Sequence, residues 1–143
     1  MRERSINQAL FIALLPLLSL AGKAQNLVLQ IAEVKQGKGP IMIAVFQSAK
    51  GFPYDHKQAI ALHRAEPEKG SASLNISLPE GRYAIALFQD SNEDGKLNTN
   101  FMGVPKEGYG VSNNAYNLFS APQFKDAAFD HKGKTVLKIN MKY

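Results

Sequence analysis

Apolar and polar residues alternate along two segments of the chain. Residues 71–78 (SASLNISL) place an apolar side chain at every second position, and the C-terminal segment 135–143 does the same. Successive side chains of a strand point to opposite faces. Each segment therefore predicts a strand with one buried face and one solvated face.

Two shorter runs are apolar at nearly every position. Residues 41–46 (IMIAVF) and 83–88 (YAIALF) each follow a turn signal rich in glycine and proline, which predicts central strands covered on both faces. Residues 27–34 and 59–64 are weaker strand candidates, and 124–129 is either a strand or a single helical turn.

These elements define the expected fold class. Six or seven short strands without a helix of ten residues predict an all-β protein, an antiparallel immunoglobulin-like or transthyretin-like sandwich of about seven strands. An up-and-down barrel is the alternative. Between Asp90 and Pro122, over thirty residues lack an alternating segment. Because this stretch contains Phe101, Leu118 and Phe119, it is too apolar for disorder, and we expect an ordered loop packed on one end of the sandwich.

The N-terminus has the pattern of a cleavable signal peptide. Arg2 and Arg4 precede an apolar run at 9–20, and the small residues Gly22 and Ala24 follow it, which predicts cleavage after Ala24. A membrane anchor is the alternative, but twelve apolar residues fall short of the ~20 that span a bilayer. The sequence thus predicts a signal peptide at 1–24 and one domain at 25–143. The mature protein is expected to be periplasmic or secreted, with no transmembrane segment.

Composition narrows the function classes. The chain has no cysteine, so its stability must come from packing rather than disulfides. Its formal net charge is +5, and removal of three basic residues and one acidic residue with the signal leaves +3. The charges are scattered without a basic run, which argues against nucleic-acid binding.

The segment 90–98 (DSNEDGKLN) matches the opening of a calcium-binding loop, D-x-[DN]-x-[DN]-G. In such loops oxygen atoms at positions 1, 3, 5 and 7 surround one hard cation. The candidate metal ligands are therefore the side chains of Asp90, Asn92 and Asp94 and the backbone carbonyl of Lys96.

Two features separate this segment from an EF-hand. Position 12 is Phe101 rather than glutamate, and no helices are expected on either side. Glu107 or Glu93 would have to supply the missing carboxylate. The alternative is a metal-free turn, because tight turns also select Asp, Asn and Gly.

The following segment is rich in glycine, amide and hydroxyl groups around an aromatic residue. We expect a ligand surface here for a sugar, peptide or protein of the envelope or extracellular space, because an aromatic ring can stack on a ligand while amides bind it. Its candidate residues are Glu107, Tyr109, Ser112, Asn113 and Asn114. The alternative is that the ring packs inward and the amides bond to loop backbone.

The sequence offers little for catalysis. No serine lies in a Gly-x-Ser-x-Gly elbow, no cysteine is available as a nucleophile, and the three histidines lack metal-site spacing. Asp90 and Glu107 form the one candidate pair for a carboxylate-dependent hydrolase. We therefore expect a protein that is not an enzyme.

Several segments in this order resemble one protein family. They are 78–86 (LPEGRYAIA), 90–100 (DSNEDGKLNTN), 103–114 (GVPKEGYGVSNN) and 122–129 (PQFKDAAF). Together they resemble the uncharacterised bacterial domain-of-unknown-function family 2141. The resemblance implies an exported or envelope-associated sandwich protein and no established activity. Asn98 stands where relatives commonly carry aspartate, which implies weaker cation binding at that position.

The combined expectation is an exported β-sandwich binding module with a calcium-ordered loop. Calcium is the only cofactor expected. A structural accessory domain of the envelope that binds no small ligand is the first alternative, and the carboxylate-dependent hydrolase is the second.

Overall fold

The computed structural model describes residues 22–143, so residues 1–21 of the predicted signal peptide at 1–24 lie outside the described residues. Residues 22–143 form eight strands, one four-residue helix and two 3₁₀ turns. The strands are β1 (Gln25–Ala32), β2 (Ile41–Phe46), β3 (Ala61–Ala65), β4 (Ala72–Leu78), β5 (Gly81–Gln89), β6 (Tyr109–Val111), β7 (Phe129–His131) and β8 (Thr135–Asn140). The 3₁₀ turns are His56–Gln58 and Ser112–Asn114, and the helix is α1 (Phe124–Ala127).

The strands form two sheets. One has the order β4-β1-β8, and the other has the order β3-β2-β5-β6, with β7 paired to the first residues of β5. Alternating apolar residues of both sheets meet between them in one core, as the spacing in β4 and β8 predicts. Ile76 and Leu78 of β4 and Leu137 and Ile139 of β8 are buried there. The all-β sandwich is therefore confirmed.

One strand pair departs from the expected antiparallel arrangement. β1 and β8 run parallel, with Leu27 opposite Thr135. Because β7 pairs with β5 in the other sheet, β8 enters its sheet by a crossover rather than by a hairpin, and a crossover permits parallel pairing. The short strands β6 and β7, which have no readable alternation, raise the strand count from about seven to eight.

The central strands are covered on both faces over part of their length. β2 and β5 lie side by side in the middle of their sheet, as predicted. On the outer face, Phe46 contacts Phe52 edge to face at a ring distance of 5.3 Å, and Phe52 contacts Phe124 at 5.9 Å. This small outer cluster covers one end of the sheet face and leaves the other end open to the segment 90–122.

That segment is ordered, but part of the expectation about it was wrong. Residues 109–111 form a strand within it, and Tyr116 donates a hydrogen bond from its hydroxyl to the backbone carbonyl of Asn140. In contrast, Phe101, Leu118 and Phe119 are 98%, 91% and 98% exposed. They do not pack on the sandwich, because they lie in turns and bends outside the strands where their side chains remain in solvent. No helix in residues 22–143 combines the length and hydropathy of a membrane span.

Candidate functional site

Residues 90–98, called the acidic loop below, begin where β5 ends. Asp90 is 3% exposed, and its carboxylate accepts two backbone N–H groups of the same loop. Oδ1 lies 3.1 Å from the nitrogen of Asp94, and Oδ2 lies 2.8 Å from that of Gly95. Gly95 has φ +76°, so it supplies the left-handed turn that the motif requires.

The other predicted side-chain ligands also turn toward the inside of this loop. Asn92 Oδ1 accepts the N–H of Asp94 at 3.3 Å, and Asp94 Oδ1 accepts the N–H of Lys96 at 2.9 Å. Asp94 Oδ2 accepts the side-chain amides of Asn92 and Asn98. These hydrogen bonds, led by that from Asn98, lower the pKa of the Asp94 carboxyl below its usual value.

Glu107 bridges the two ends of the acidic loop. This residue is 7% exposed, and its carboxylate accepts the N–H of Ser91 at 2.8 Å through Oε1 and the N–H of Asn98 at 3.0 Å through Oε2. One buried carboxylate thus ties both ends of the loop together. Glu93, the other candidate for a missing calcium ligand, has Oε2 3.9 Å from the guanidinium of Arg64.

The acidic loop gathers oxygen atoms from two carboxylates and two amide side chains. Asn98 Oδ1 is buried without a hydrogen-bond partner. Across residues 22–143, however, no three His, Cys, Asp or Glu side chains group closely enough to hold a metal ion. The donor set is chemically suited to a hard cation such as Ca²⁺ only if amide and carbonyl oxygens complete it.

A cavity of about 570 Å³ lies on the outer face of the five-stranded sheet, next to the acidic loop. We call it the sheet-face cleft. Its floor comes from β2, β5 and β6, and its walls come from the segments 53–56 and 95–105. Its lining residues include Met42, Ala44, Ala86, Phe88, Leu97 and Tyr109.

Two alanines create the room for this cleft. Ala44 of β2 and Ala86 of β5 are direct partners in the strand register, so their side chains share one face. One step along the same face, Phe46 is the partner of Ala84, and the Phe46–Phe52–Phe124 cluster fills the space above them. Ala44 and Ala86 also pack against this outer cluster, and Ala86 is 9% exposed, so the cleft adjoins the cluster at these two residues.

Tyr54 and Tyr109 both line the cleft. Burial, followed by the nearby phenol of Tyr109, raises the pKa of Tyr54. Tyr109 in turn contacts Tyr116 edge to face at 5.8 Å, which supports its ring from behind. The cleft therefore presents the rings and hydroxyl groups of two tyrosines.

Two exposed pairs of apolar residues lie close in sequence to residues that line the cleft. Phe101 and Met102, which are 98% and 73% exposed, immediately precede Gly103 of the lining. Leu118 and Phe119 lie shortly before Pro122, which also lines the cleft. Large apolar side chains at this exposure form a contact surface rather than part of the core.

Of the five residues predicted as a ligand surface, Tyr109 lines the cleft and four bond to the chain itself. Ser112 is fully buried, accepts the N–H of Ile85 at 2.9 Å and donates to the carbonyl of Ala127. Asn113 and Asn114 adopt left-handed backbone conformations, with φ +58° and +49°. The Asn113 amide donates to the carbonyls of Asp126 and Ala128, and Asn114 Oδ1 accepts the N–H of Asn140. Glu107 closes the acidic loop, as described above.

Several cleft residues were not predicted from the sequence. Met42, Ala44 and Ala86 were part of apolar runs and carried no polar motif. The available signal was the pair of small residues at outward positions of two central strands, but its meaning depends on strand register. Asp90 and Glu107, the candidate hydrolytic pair, both bind backbone of the acidic loop, and neither lines the cleft.

The model of one protein family, described as "Uncharacterized protein conserved in bacteria (DUF2141)", matches residues 29–139. No curated protein and no solved structure matches the chain. The match begins in β1 and ends in β8, so it covers both sheets, the acidic loop and the sheet-face cleft.

Proposed function

This chain belongs to the bacterial family DUF2141, and we propose that this member is an exported binding module that holds a small apolar ligand in the sheet-face cleft. The observation that carries the proposal is the cleft itself, about 570 Å³ in volume and lined mainly by apolar side chains. Binding sites for small molecules have this size and character, with a few polar groups that orient the ligand.

The strand arrangement gives the cleft a rigid floor. Ala44 and Ala86 lie in the two central strands, which are held by pairing on both sides. A ligand on this floor would remove apolar surface from water, worth about 25 cal/mol per Å² before the cost of association. Tyr54 and Tyr109 would add ring contacts and hydroxyl groups.

The proposal includes export. The arginines before the apolar run at 9–20 and the small residues Gly22 and Ala24 support a signal peptide cleaved after Ala24. The ligand would then be met in the periplasm or outside the cell.

The proposal also gives calcium a role in the acidic loop. The inward side chains of Asp90, Asn92 and Asp94 and the buried, unpartnered Oδ1 of Asn98 support a cation held with the Lys96 carbonyl. Because Gly95, Lys96 and Leu97 line the cleft, a cation in the loop would stiffen one cleft wall. Calcium would thus act through the shape of the ligand site.

A second candidate function is a structural accessory domain that docks to an envelope partner. The exposed tips at Phe101–Met102 and Leu118–Phe119 support it, because they offer apolar contact surface outside the cleft. This alternative predicts that a substitution that fills the cleft leaves binding of the envelope partner unchanged.

The test uses Nile red, an uncharged fluorescent dye, with the mature domain. We expect fluorescence enhancement that saturates with one dye per domain and is lost in Ala44→Leu, whose larger side chain fills the floor. Ser73→Leu is the matched control, since Ser73 is on the exposed face of the other sheet, as the partner of Gln30. Leu97→Ser provides a second cleft variant. Equal dye binding by Ala44→Leu, Leu97→Ser and wild type would overturn the proposal.

A further inference from the structure

The lining of the sheet-face cleft includes a lysine and lacks acidic residues. Lys96 lines it, as do His56 and His63, but no aspartate or glutamate does. This holds even though the acidic loop forms one wall. A ligand carrying a negative group would therefore meet no carboxylate on the cleft surface.

The hydrogen bonding of the neighbouring acids explains this separation. Asp90 and Glu107 direct their carboxylates at backbone N–H groups of the acidic loop. Asp94 accepts from Lys96 backbone and from the amides of Asn92 and Asn98. These three carboxylates thus accept hydrogen bonds within the loop, and none of the three residues lines the cleft.

Lys96 is placed differently. Its backbone N–H is fixed by Asp94 Oδ1 at 2.9 Å, while the residue itself lines the cleft. The salt bridges found within residues 22–143 join Arg64 to Glu66 and Glu93 and Arg82 to Asp130, and Lys96 is in none of them. Lys96 is exposed, and its ammonium also acts on the nearby Asp94 carboxylate, whose pKa it helps to lower, without forming a salt bridge with it.

Most of the remaining lining is apolar. Met42, Ala44, Ala86 and Phe88 form the floor. A sugar would leave most of this surface without a matching partner. A molecule with an apolar body and a single charged end would use both the floor and Lys96.

We propose that the cleft takes an amphipathic anion, an apolar chain or ring system that ends in a carboxylate, with the carboxylate at Lys96 and the apolar body on the Ala44–Ala86 floor. This inference rests on the proposed function, since it names the ligand class of the same cleft. The hydroxyls of Tyr54 and Tyr109 are available as donors to the same head group.

The experiment measures displacement of bound Nile red from the mature domain by three molecules with the same twelve-carbon chain, each below its micelle concentration. They are dodecanoate, dodecanol and dodecyltrimethylammonium. We expect dodecanoate to displace the dye at a concentration at least tenfold lower than dodecyltrimethylammonium, with dodecanol between them. Lys96→Gln should reduce this preference to less than threefold. Lys106→Gln, an exposed lysine outside the lining, should retain it.

The outcomes separate the two proposals. Dye binding without a preference for dodecanoate, or a preference that Lys96→Gln leaves unchanged, overturns the anionic ligand class and leaves the cleft as a binding site. Failure of Nile red to bind wild type overturns both. Calorimetric titration of dodecanoate into Lys96→Gln and Lys106→Gln provides a second measurement that does not depend on the dye.

Discussion

Glu107 accepts a hydrogen bond from the backbone N–H of Ser91 at 2.8 Å, across a separation of 16 residues. The same carboxylate accepts the N–H of Asn98 with its second oxygen. The acidic loop is therefore anchored to the segment that leads into β6, and β6 carries Tyr109 into the cleft. A carboxylate does this better than an amide, because it accepts at both oxygens and its charge strengthens each bond.

Replacing Glu107 by glutamine should destabilise the domain. Its amide group would face a backbone N–H with another donor, so one buried N–H would lose its acceptor. Hydrogen bonds to charged groups contribute about 1.5–3 kcal/mol each, so we expect a loss of about that size in the free energy of unfolding. Urea unfolding would measure it, with Glu68→Gln at an exposed position as the control. Equal stability of the two variants would contradict the anchoring role.

Calcium should raise the unfolding temperature of the mature domain. A ligand at one hundred times its dissociation constant adds ~2.7 kcal/mol, which corresponds to roughly ten degrees in a domain of this size. Thermal unfolding in EDTA and in millimolar calcium would measure the shift. Asp94→Asn should abolish it. Glu93→Gln removes the same charge from the same loop but at a side chain directed to Arg64, so it should keep the shift. No shift in wild type would mean that the loop is a metal-free turn.

The domain should lose stability at alkaline pH as the buried Tyr116 ionises. Burial raises the pKa of Tyr116 from 10.0 to about 12. The folded state therefore holds the neutral phenol more strongly than the unfolded chain does. The resulting stability is fully present below pH 10 and is lost as the pH rises through 12.

The variant Tyr116→Phe should separate this effect from the hydrogen bond to Asn140. At pH 8 we expect it to be less stable than wild type by about 0.5–1.5 kcal/mol, the usual contribution of one hydrogen bond. Between pH 10 and 12 its stability should fall less steeply than that of wild type, because phenylalanine has no phenol to ionise. Some fall should remain, because the other tyrosines with raised pKa, Tyr54, Tyr83 and Tyr143, are present in both proteins. Parallel pH curves would show that Tyr116 does not contribute to the alkaline transition.

Expression of the full chain in a bacterial host should yield a processed protein in the periplasm or medium. Mass spectrometry should find Gln25 as its first residue. Ala24→Arg should block processing, because the position before the cleaved bond requires a small side chain. Lys23→Gln, one position earlier, should leave processing unchanged. Recovery of the unprocessed wild-type chain from the cytoplasm would exclude the predicted export.

Much of the fold could be read from the sequence because it depends on local periodicity. The alternation at 71–78 and 135–143 predicted β4 and β8 with the correct buried faces, since a strand on a core has a period of two. The apolar runs predicted the central strands β2 and β5. The strands β6 and β7 span three residues each, too few for a period to appear.

The site divides in the same way. The sequence by itself determined the acidic loop, because Asp, Asn and Gly at fixed spacing specify a turn whose side chains bond to its own backbone. Only the tertiary structure decided that Glu107 joins this loop and that Asn113 and Asn114 bind neighbouring carbonyls. The cleft also depends on the tertiary structure. It exists because the strand register places Ala44 beside Ala86 and because the segments 53–56 and 95–105 pass next to them. Such relationships depend on which strands pair and in what register, and the linear order of residues does not encode them locally.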